Sequence, residues 1–347
     1  MRKYEIIGDI HAQAAKLERL LARLGYAPVD GDHLLYIDAS DAADRTLVFL
    51  GDLIDRGPDN RRVVEIVRGL VERGDALAIM GNHEFNAICY HSRDPQSGEP
   101  LRAHSEKHRR QHQSFLDEFP LGSAAARDVI DWFKTLPLYR ELEMPAGSRR
   151  ETKVLTSAAG PDPTRARCIH ACWDPTQIDY LRTRLGAPAR LDAQFLRESV
   201  QPGTPAYEAI ETTLKGPEIA LPDAAAFVDE DGQRRRRIRR NWWSGGETYR
   251  ETAVVPARER ARIPDLAMPD DRKWPPYPPA APPVFFGHYW LSGEIAPLRP
   301  NVACLDYSAG RNGPVVAYRW HDGPDQAGSH RLRKDCFVSS DADVVKG

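Results

Sequence analysis

Side chains that can bind divalent metals and move protons follow short apolar runs at several points along this chain. They supply carboxylate, amide and imidazole groups and no thiolate, a ligand set that suits Mn, Fe or Zn, with Mn favoured. The residues are Asp9, His11, Asp52, Asp55, Arg56, Asn82, His83, His170 and His288.

The number of candidate ligands exceeds what one tetrahedral ion needs. It matches two ions about 3.5–4 Å apart that share a carboxylate. Such a pair can use a metal-bridging water as the nucleophile and can hold the oxygens of a phosphoester. The pattern therefore predicts metal-dependent hydrolysis of phosphate esters.

The elements that must position these residues alternate over the first hundred positions. Apolar runs of strand type at 4–7, 46–50 and 76–80 are separated by helical spacing at 13–24 and 60–73. This β-α-β-α-β order predicts parallel strands joined by right-handed crossovers, hence an α/β fold. Because open α/β sheets bind ligands beyond the carboxyl ends of their strands, the polar residues should meet in one crevice.

Three motifs carry a resemblance to a known family. GDIH at 8–11, GDLIDRG at 51–57 and GNHE at 81–84 resemble the signatures of the calcineurin-like metallophosphoesterases. More narrowly, they resemble the phosphoprotein phosphatase branch, which contains the Ser/Thr protein phosphatases and the bacterial symmetrical diadenosine tetraphosphate hydrolases. The resemblance is clear over 4–90 and weaker up to about 320. It implies the metallo-dependent phosphatase fold, an αβ sandwich of central mixed sheets flanked by helices.

The resemblance also implies metal ligands. The first metal would be held by Asp9 and His11, and Asp52 would bridge both ions. The second metal would be held by Asn82, His170 and His288.

Catalytic and substrate-binding roles follow from the same motifs. His83 would be the general acid, and Asp55 would orient it and keep it protonated. Arg56 would bind the substrate phosphate, with Asn82 also in contact. The family's second phosphate-binding arginine has no motif here, and we assign it to Arg239, within the Arg-rich run 234–240.

Two positions depart from the family's pattern. Ala12 stands where a Gly usually follows the first histidine, which predicts a slightly different turn. His170 is followed by Ala-Cys-Trp rather than by the usual pair of glycines.

We expect a single catalytic domain over 1–330 with insertions at about 91–135, mostly helical, and at 174–283, followed by a polar C-terminal tail at 331–347. Four histidines between 91 and 112 are interpreted as a solvated helix face. The Arg run is interpreted as a solvated loop with ion pairs to 229–231, or as a site for RNA or an acidic peptide. The Pro-rich stretch 269–283 is interpreted as an extended spacer on the core.

Composition limits the class of protein. Lys and Arg number 48 against 50 Asp and Glu, which excludes a generally basic nucleic-acid binder and predicts no stable nucleic-acid partner. The five cysteines are an odd number and widely spread, and the N-terminus lacks a signal-peptide pattern, so we expect a cytoplasmic protein without membrane association. The excess of Arg over Lys indicates a GC-rich bacterial source.

The favoured function is a Ser/Thr-type protein phosphatase or phosphomonoesterase acting on a phosphorylated protein, peptide or small phosphoester. The alternative is a symmetrical dinucleoside polyphosphate hydrolase; those family members typically carry Asp at the position of Glu84. A non-catalytic phosphate-binding scaffold is a third possibility, which the complete set of site residues disfavours.

Overall fold

The apolar runs form strands of two packed sheets in a computed structural model that describes residues 3–29, 32–38, 45–143, 165–223, 226–228, 234–255, 257–320 and 331–341. The described strands, in chain order, are β1 (Lys3–Ile7), β2 (Tyr26–Val29), β3 (Asp32–Asp38), β4 (Arg45–Phe49), β5 (Ala76–Ala78), β6 (Tyr139–Glu143), β7 (Arg165–Ile169), β8 (Glu218–Ala220), β9 (Phe227–Val228), β10 (Arg234–Arg235), β11 (Arg237–Arg239), β12 (Val284–Phe286), β13 (Val302–Cys304), β14 (Val316–Trp320) and β15 (Phe337–Ser339).

The two large sheets are both mixed. The first has the order β15-β14-β1-β4-β5, and β1, β4 and β5 run parallel. The second has the order β13-β12-β7-β6, in which β6 is antiparallel to β7. Strand pairs β2–β3, β8–β11 and β9–β10 lie outside them.

Alternation along the strands explains how the sheets pack. Ile6 and Val48 point into an apolar cluster shared with Phe285 and Ala303 of the second sheet. Ile7, the next residue along β1, points the other way into a cluster that contains helical residues such as Leu17. Both faces of the first sheet are therefore covered, which confirms the expected αβ sandwich with flanking helices.

Helices connect and cover the strands. Those described are α1 (Ala14–Leu24), α2 (Asn60–Arg73), α3 (Asn82–His91), α4 (Glu106–Gln111), α5 (Gln113–Glu118), α6 (Ala124–Lys134), α7 (Pro175–Leu185), α8 (Ala193–Glu198), α9 (Pro205–Lys215), α10 (Tyr249–Thr252) and α11 (Ala257–Arg260), with short 3-10 turns at Asp270–Arg272 and Lys334–Cys336. Among the described residues, no helix is both long enough and apolar enough to span a bilayer.

The 174–283 insertion contains helices that were not predicted from the sequence. Helices α7 and α9 each begin with a capping side chain followed by proline: Asp174 before Pro175, and Thr204 before Pro205. Both caps accept a backbone hydrogen bond, so these pairs were a usable signal for helix starts.

The Pro-rich stretch is attached to the second sheet. Asn301 donates hydrogen bonds to the carbonyls of Pro278 and Ala281, and the hydroxyl of the buried Tyr277 donates to Pro282. At the C-terminal end, β15 pairs with β14 at the edge of the first sheet. Residues 342–347 lie outside the described residues.

Candidate active site

The strand ends converge as the parallel register requires. Ile7 pairs with Phe49, and Phe49 with Ala78, so β1, β4 and β5 end side by side. The loops that follow carry Asp9, Asp52 and Asn82, and all three side chains are buried.

The first group of ligand atoms surrounds His11. Its Nε2 lies 3.8 Å from Asp9 Oδ2 and 3.7 Å from Asp52 Oδ2. Its Nδ1 lies 3.2 Å from the carbonyl of Ile54 and donates to it. This backbone contact fixes the ring so that Nε2 faces the carboxylates, an arrangement typical of metal-binding histidines.

The second group is on the other side of Asp52. His170 Nε2 lies 3.3 Å from Asp52 Oδ1 and 3.1 Å from Asn82 Oδ1. His288 Nδ1 lies 2.7 Å from the same Asn82 oxygen. His170 Nδ1 donates to the carbonyl of Leu50 at 2.8 Å, which again leaves Nε2 directed at the centre. Asp52 thus lies between two sets of nitrogen and oxygen atoms.

These residues fit a pair of metal ions. Ligand atoms of Asp52, His170 and His288 lie within 4.8 Å of one another, as do those of His11, Asp52 and His83. The Nε2 atom of His11, which faces the carboxylates of Asp9 and Asp52, is buried and has no hydrogen-bond partner among the described residues. Since an unpaired buried polar atom is unfavourable, a coordinating cation would satisfy this nitrogen.

Buried charge at the site supports the same conclusion. Burial raises the pKa of Asp9, and the nearby carboxylates of Asp306 and Asp52 raise it further. Burial lowers the pKa of His11 to about 3, so its imidazole is neutral and able to act as a ligand. Clustered carboxylates with a neutral imidazole make a place where positive charge is stabilised.

Asp306 was not recognised from the sequence. It is fully buried after β13, and its carboxylate accepts hydrogen bonds from the backbone of Trp290 and Ser308. The strand-then-carboxylate pattern of VACLD resembles that of the earlier motifs, and it was the available signal.

His83 and Asp55 form a close pair at the floor of the pocket. His83 Nδ1 donates to Asp55 Oδ2 at 2.6 Å, and His83 Nε2 lies 3.9 Å from Asp52 Oδ2. Burial lowers the pKa of His83, but the carboxylates of Asp52 and Asp55 outweigh it, and the pKa is raised overall. The two carboxylates therefore favour the protonated ring, and its Nε2 faces the candidate metal ligands.

The interpretation of the 91–112 histidines as a solvated helix face is wrong for His112. This side chain is buried, and its Nδ1 donates to Asp55 Oδ1 at 2.8 Å. The periodicity of the segment could not reveal this contact, because His112 lies at the junction between α4 and α5 and not on a regular helix face.

Glu84 connects two of the motif loops. One carboxylate oxygen accepts from the backbone N–H of Asp52 at 2.8 Å and of Gly81 at 2.9 Å, and the other accepts from Leu53 at 2.8 Å. Glu84 is fully buried, so these three hydrogen bonds hold the loops after β4 and β5 together.

Unusual backbone conformations concentrate at the site. Among the described residues, the non-glycine positions with positive φ are His11, Ala12, Asp52, Asp55, Arg56, His288, Trp290 and Ser308. Ala12 has a φ of 53°, the left-handed region that favours the glycine usual in the family. Such strain persists where the surroundings enforce it, typically at functional sites.

Gly287 shows how closely the loops approach. A Cβ at this position would lie 1.9 Å from Asp9 Oδ1. Asp9 instead accepts hydrogen bonds from the backbone N–H of His288, at 3.1 and 3.2 Å. Only glycine leaves room for this carboxylate.

The pocket above these residues is strongly cationic. It has a volume of about 940 Å³, and its lining includes eight Arg and Lys side chains against two Asp. Arg56 lies over the ring of Trp290, with its guanidinium carbon 3.7 Å from the ring centroid. Arg311, at 4.9 Å from the same ring, was not recognised from the sequence.

Arg239 also lines this pocket, beside His288. Strand β11 places it there through its pairing with β8. Arg235 of the same run also lines the pocket, whereas Arg237 pairs with Glu218 and the buried Arg240 donates to the carbonyl of Arg272. The expected partners at 229–231 lie outside the described residues.

Comparisons with known proteins agree with the motifs. The family profile described as calcineurin-like phosphoesterase matches residues 5–189, just over half of the chain. An asymmetrical bis(5'-nucleosyl)-tetraphosphatase PrpE of Oceanobacillus iheyensis is 41% identical over 81 residues, which are 23% of this chain and 30% of that protein. The protein of the same name from Bacillus thuringiensis is 27% identical over 255 residues, 66% of this chain and 97% of the relative. The match to the Oceanobacillus iheyensis protein thus spans less than a third of that relative's length.

Solved structures are also similar. A putative diadenosine tetraphosphatase aligns with 97% of this chain and 92% of its own, at 16% identity and a TM-score of 0.41. A Saccharomyces cerevisiae Ser/Thr phosphatase with similarity to human PP5 aligns with 98% of this chain and 80% of its own, at 14% identity and a TM-score of 0.42.

Proposed function

This chain belongs to the calcineurin-like phosphoesterase family, and we propose that it is a dinuclear-metal phosphatase that hydrolyses phosphomonoesters, as a Ser/Thr-type protein phosphatase does. The observation that carries the proposal is the arrangement around Asp52. Two buried groups of ligand atoms lie on either side of this carboxylate, and His83, whose pKa is raised by the neighbouring carboxylates, faces it.

The metal ligands in this proposal are Asp9, His11, Asp52, Asn82, His170 and His288. When bound, two divalent ions there would supply an activated water for attack on phosphorus and would neutralise charge on the phosphate oxygens.

The remaining steps belong to side chains of this chain. Arg56 and Arg239 bind the non-reacting phosphate oxygens from the pocket wall, and Trp290 holds the Arg56 guanidinium in place. His83 donates the proton on Nε2 to the leaving oxygen. Asp55 accepts from Nδ1 of that ring throughout, which keeps its orientation and favours the protonated form.

A second candidate, hydrolysis of dinucleoside polyphosphates, is favoured by the pocket wall. A phosphomonoester carries about two negative charges, whereas the lining presents eight cationic side chains, among them Arg102, Lys107 and Arg110 beyond the immediate site. A chain of several phosphates would use more of these charges. The names of the two PrpE relatives refer to the same class of substrate, cleaved asymmetrically.

A substrate panel separates the two. Purified chain is stripped with a chelator, reloaded with Mn and assayed for phosphate release from a phosphoserine peptide. A dinucleoside tetraphosphate is assayed in parallel, with products separated by chromatography. Central cleavage yields two nucleoside diphosphates, and off-centre cleavage yields a monophosphate and a triphosphate. Release of phosphate from the peptide is the expected result. Cleavage of the dinucleotide alone would refute phosphomonoester hydrolysis and support the second candidate.

The His83→Asn variant tests the mechanism. It should lower turnover by about 10²–10⁴-fold, the usual contribution of a general acid, and leave metal content unchanged because Asn82 and Asp52 remain. Unchanged turnover would remove His83 from the proposed role, and no turnover on any substrate by the metal-loaded wild type would favour the scaffold alternative.

A further inference from the structure

Asp55 is held from two sides. His83 donates to one carboxylate oxygen at 2.6 Å, and His112 donates to the other at 2.8 Å. Its backbone N–H donates to Asn60 Oδ1 at 2.8 Å. Burial would raise the pKa of Asp55, but His112 and His83 outweigh it and hold the pKa well below its usual range. The carboxylate is therefore ionised and restrained at both oxygens.

His112 is itself positioned by its neighbours. Its ring stacks on Phe115 at 4.7 Å between centroids and meets Tyr90 edge-on at 5.3 Å. Its Nε2 lies 3.3 Å from His91 Nε2, so one ring donates to the other. Burial lowers the pKa of His91 to about 4, which keeps that ring neutral. The row His91–His112–Asp55–His83 is continuous through hydrogen bonds.

The 91–135 insertion brings His112 to the site and is anchored beside it. Glu118, at the end of α5, accepts from the backbone N–H of Asn60 at 2.6 Å and of Arg61 at 3.0 Å, at the start of α2. This places a carboxylate at a helix N-terminus, where it is stabilised. The insertion thus contacts Asp55 through His112 and the start of α2 through Glu118, and both Asp55 and Arg56 have strained positive φ.

We propose that His112 is a positioning residue for proton donation. By holding the second oxygen of Asp55, it fixes the carboxylate that orients His83. The 91–135 insertion supplies this contact. The inference rests on the proposed function, since it assigns a role within that reaction. Because His91, His112, Asp55 and His83 are joined by hydrogen bonds, the geometry of the active site depends on the 91–135 insertion.

The test compares substrates that differ in their need for an acid. An aryl ester with a good leaving group, p-nitrophenyl phosphate, leaves with little help, whereas a phosphoserine peptide needs a proton on the departing oxygen. His112→Phe keeps the stacking on Phe115 and removes the donor. His112→Asn keeps a donor near the position of Nδ1. His104→Phe is the matched control, because that exposed histidine contacts Tyr90 and not Asp55.

His112→Phe should reduce kcat on the peptide by about 10–100-fold, the range typical when a supporting hydrogen bond to a functional side chain is removed. The reduction on p-nitrophenyl phosphate should be several-fold smaller, with KM nearly unchanged for both. His112→Asn should recover much of the loss, and His104→Phe should behave as wild type. An equal loss on both substrates, or no loss, would overturn the proposal.

A second measurement does not depend on activity. In protein with ¹⁵N-labelled histidine, the His83 Nδ1 proton should give an exchange-protected NMR signal that is lost in His112→Phe and retained in His104→Phe. Persistence of the signal in His112→Phe would refute the positioning role. If the wild type hydrolyses no phosphoester yet the signal behaves as expected, the proposed function fails while the structural role of His112 stands.

Discussion

Replacement of Asp55 by asparagine tests the electrostatic link between this carboxylate and His83. The carboxylate accepts two histidine N–H groups, one at each oxygen. An amide has a single acceptor oxygen, so the side chain of the Asp55→Asn variant can satisfy only one of the two rings. Whichever ring it satisfies, the negative charge that favours the protonated form of His83 is lost.

The size of the effect follows from this contact. The His83–Asp55 distance of 2.6 Å is that of a charge-assisted hydrogen bond. Such bonds contribute about 1.5–3 kcal/mol, which corresponds to a fall of roughly one to two pH units in the pKa of His83. The pKa of His83 is raised in the wild type partly by Asp55, so removing the charge lowers it. Turnover needs the protonated ring, and the alkaline limb of the pH–rate profile should therefore move to lower pH.

The assay is a pH–rate profile of kcat with a phosphoserine peptide, for wild type and Asp55→Asn loaded with Mn. Above the new limb, the loss in kcat should approach the ~10²–10⁴-fold expected for the loss of the general acid. Asp59→Asn is the matched control: it makes the same chemical change in the same loop, at a side chain that makes no cap hydrogen bond. Metal content should be unchanged in both variants. An alkaline limb that stays in place, or that moves to higher pH, would refute this reasoning.

Three further variants test other parts of the site. Asp52→Asn should lose bound metal together with activity, and elemental analysis showing two ions per chain would contradict its bridging position. Arg239→Ala should raise KM by about tenfold or more with a smaller effect on kcat, since a charged hydrogen bond to phosphate contributes about 1.5–3 kcal/mol. Arg237→Ala is its control: Arg237 is on the same strand but outside the pocket, so both constants should stay unchanged. Glu84→Ala leaves three buried N–H groups without their acceptor. The free energy of unfolding, measured by chemical denaturation, should therefore fall by about 3 kcal/mol or more. A fall below about 1 kcal/mol would argue against the role of Glu84 in joining the loops.

Much of the fold could be predicted because the sequence patterns that indicate its strands and helices are local. The alternation of strand and helix patterns over the first hundred residues placed β1, β4 and β5 in parallel order, and parallel strands necessarily end at the same edge. The motif residues at those ends were therefore expected to meet. The helices at Pro175–Leu185 and Pro205–Lys215 were missed although their capping residues and prolines signal helix starts.

Other features depend on contacts between distant parts of the chain. His112 is 57 residues from Asp55, and nothing in its own surroundings in the sequence distinguishes it from His108, which donates to a nearby carbonyl. Arg239 could be proposed only as one member of a run of arginines. Arg235 and Arg239 of this run line the pocket, and the β8–β11 pairing places Arg239 there.

The sequence by itself indicated the family, through that resemblance the sandwich architecture, and a set of candidate metal ligands, because the motifs that carry the resemblance are residue types at fixed local spacing. The tertiary structure alone decided which additional groups support them: Glu84 across two loops, Asp306 beside Asp9, and His112 behind Asp55. These contacts arise from burial and packing between elements far apart in the chain, so the local spacing of residues in the sequence does not predict them.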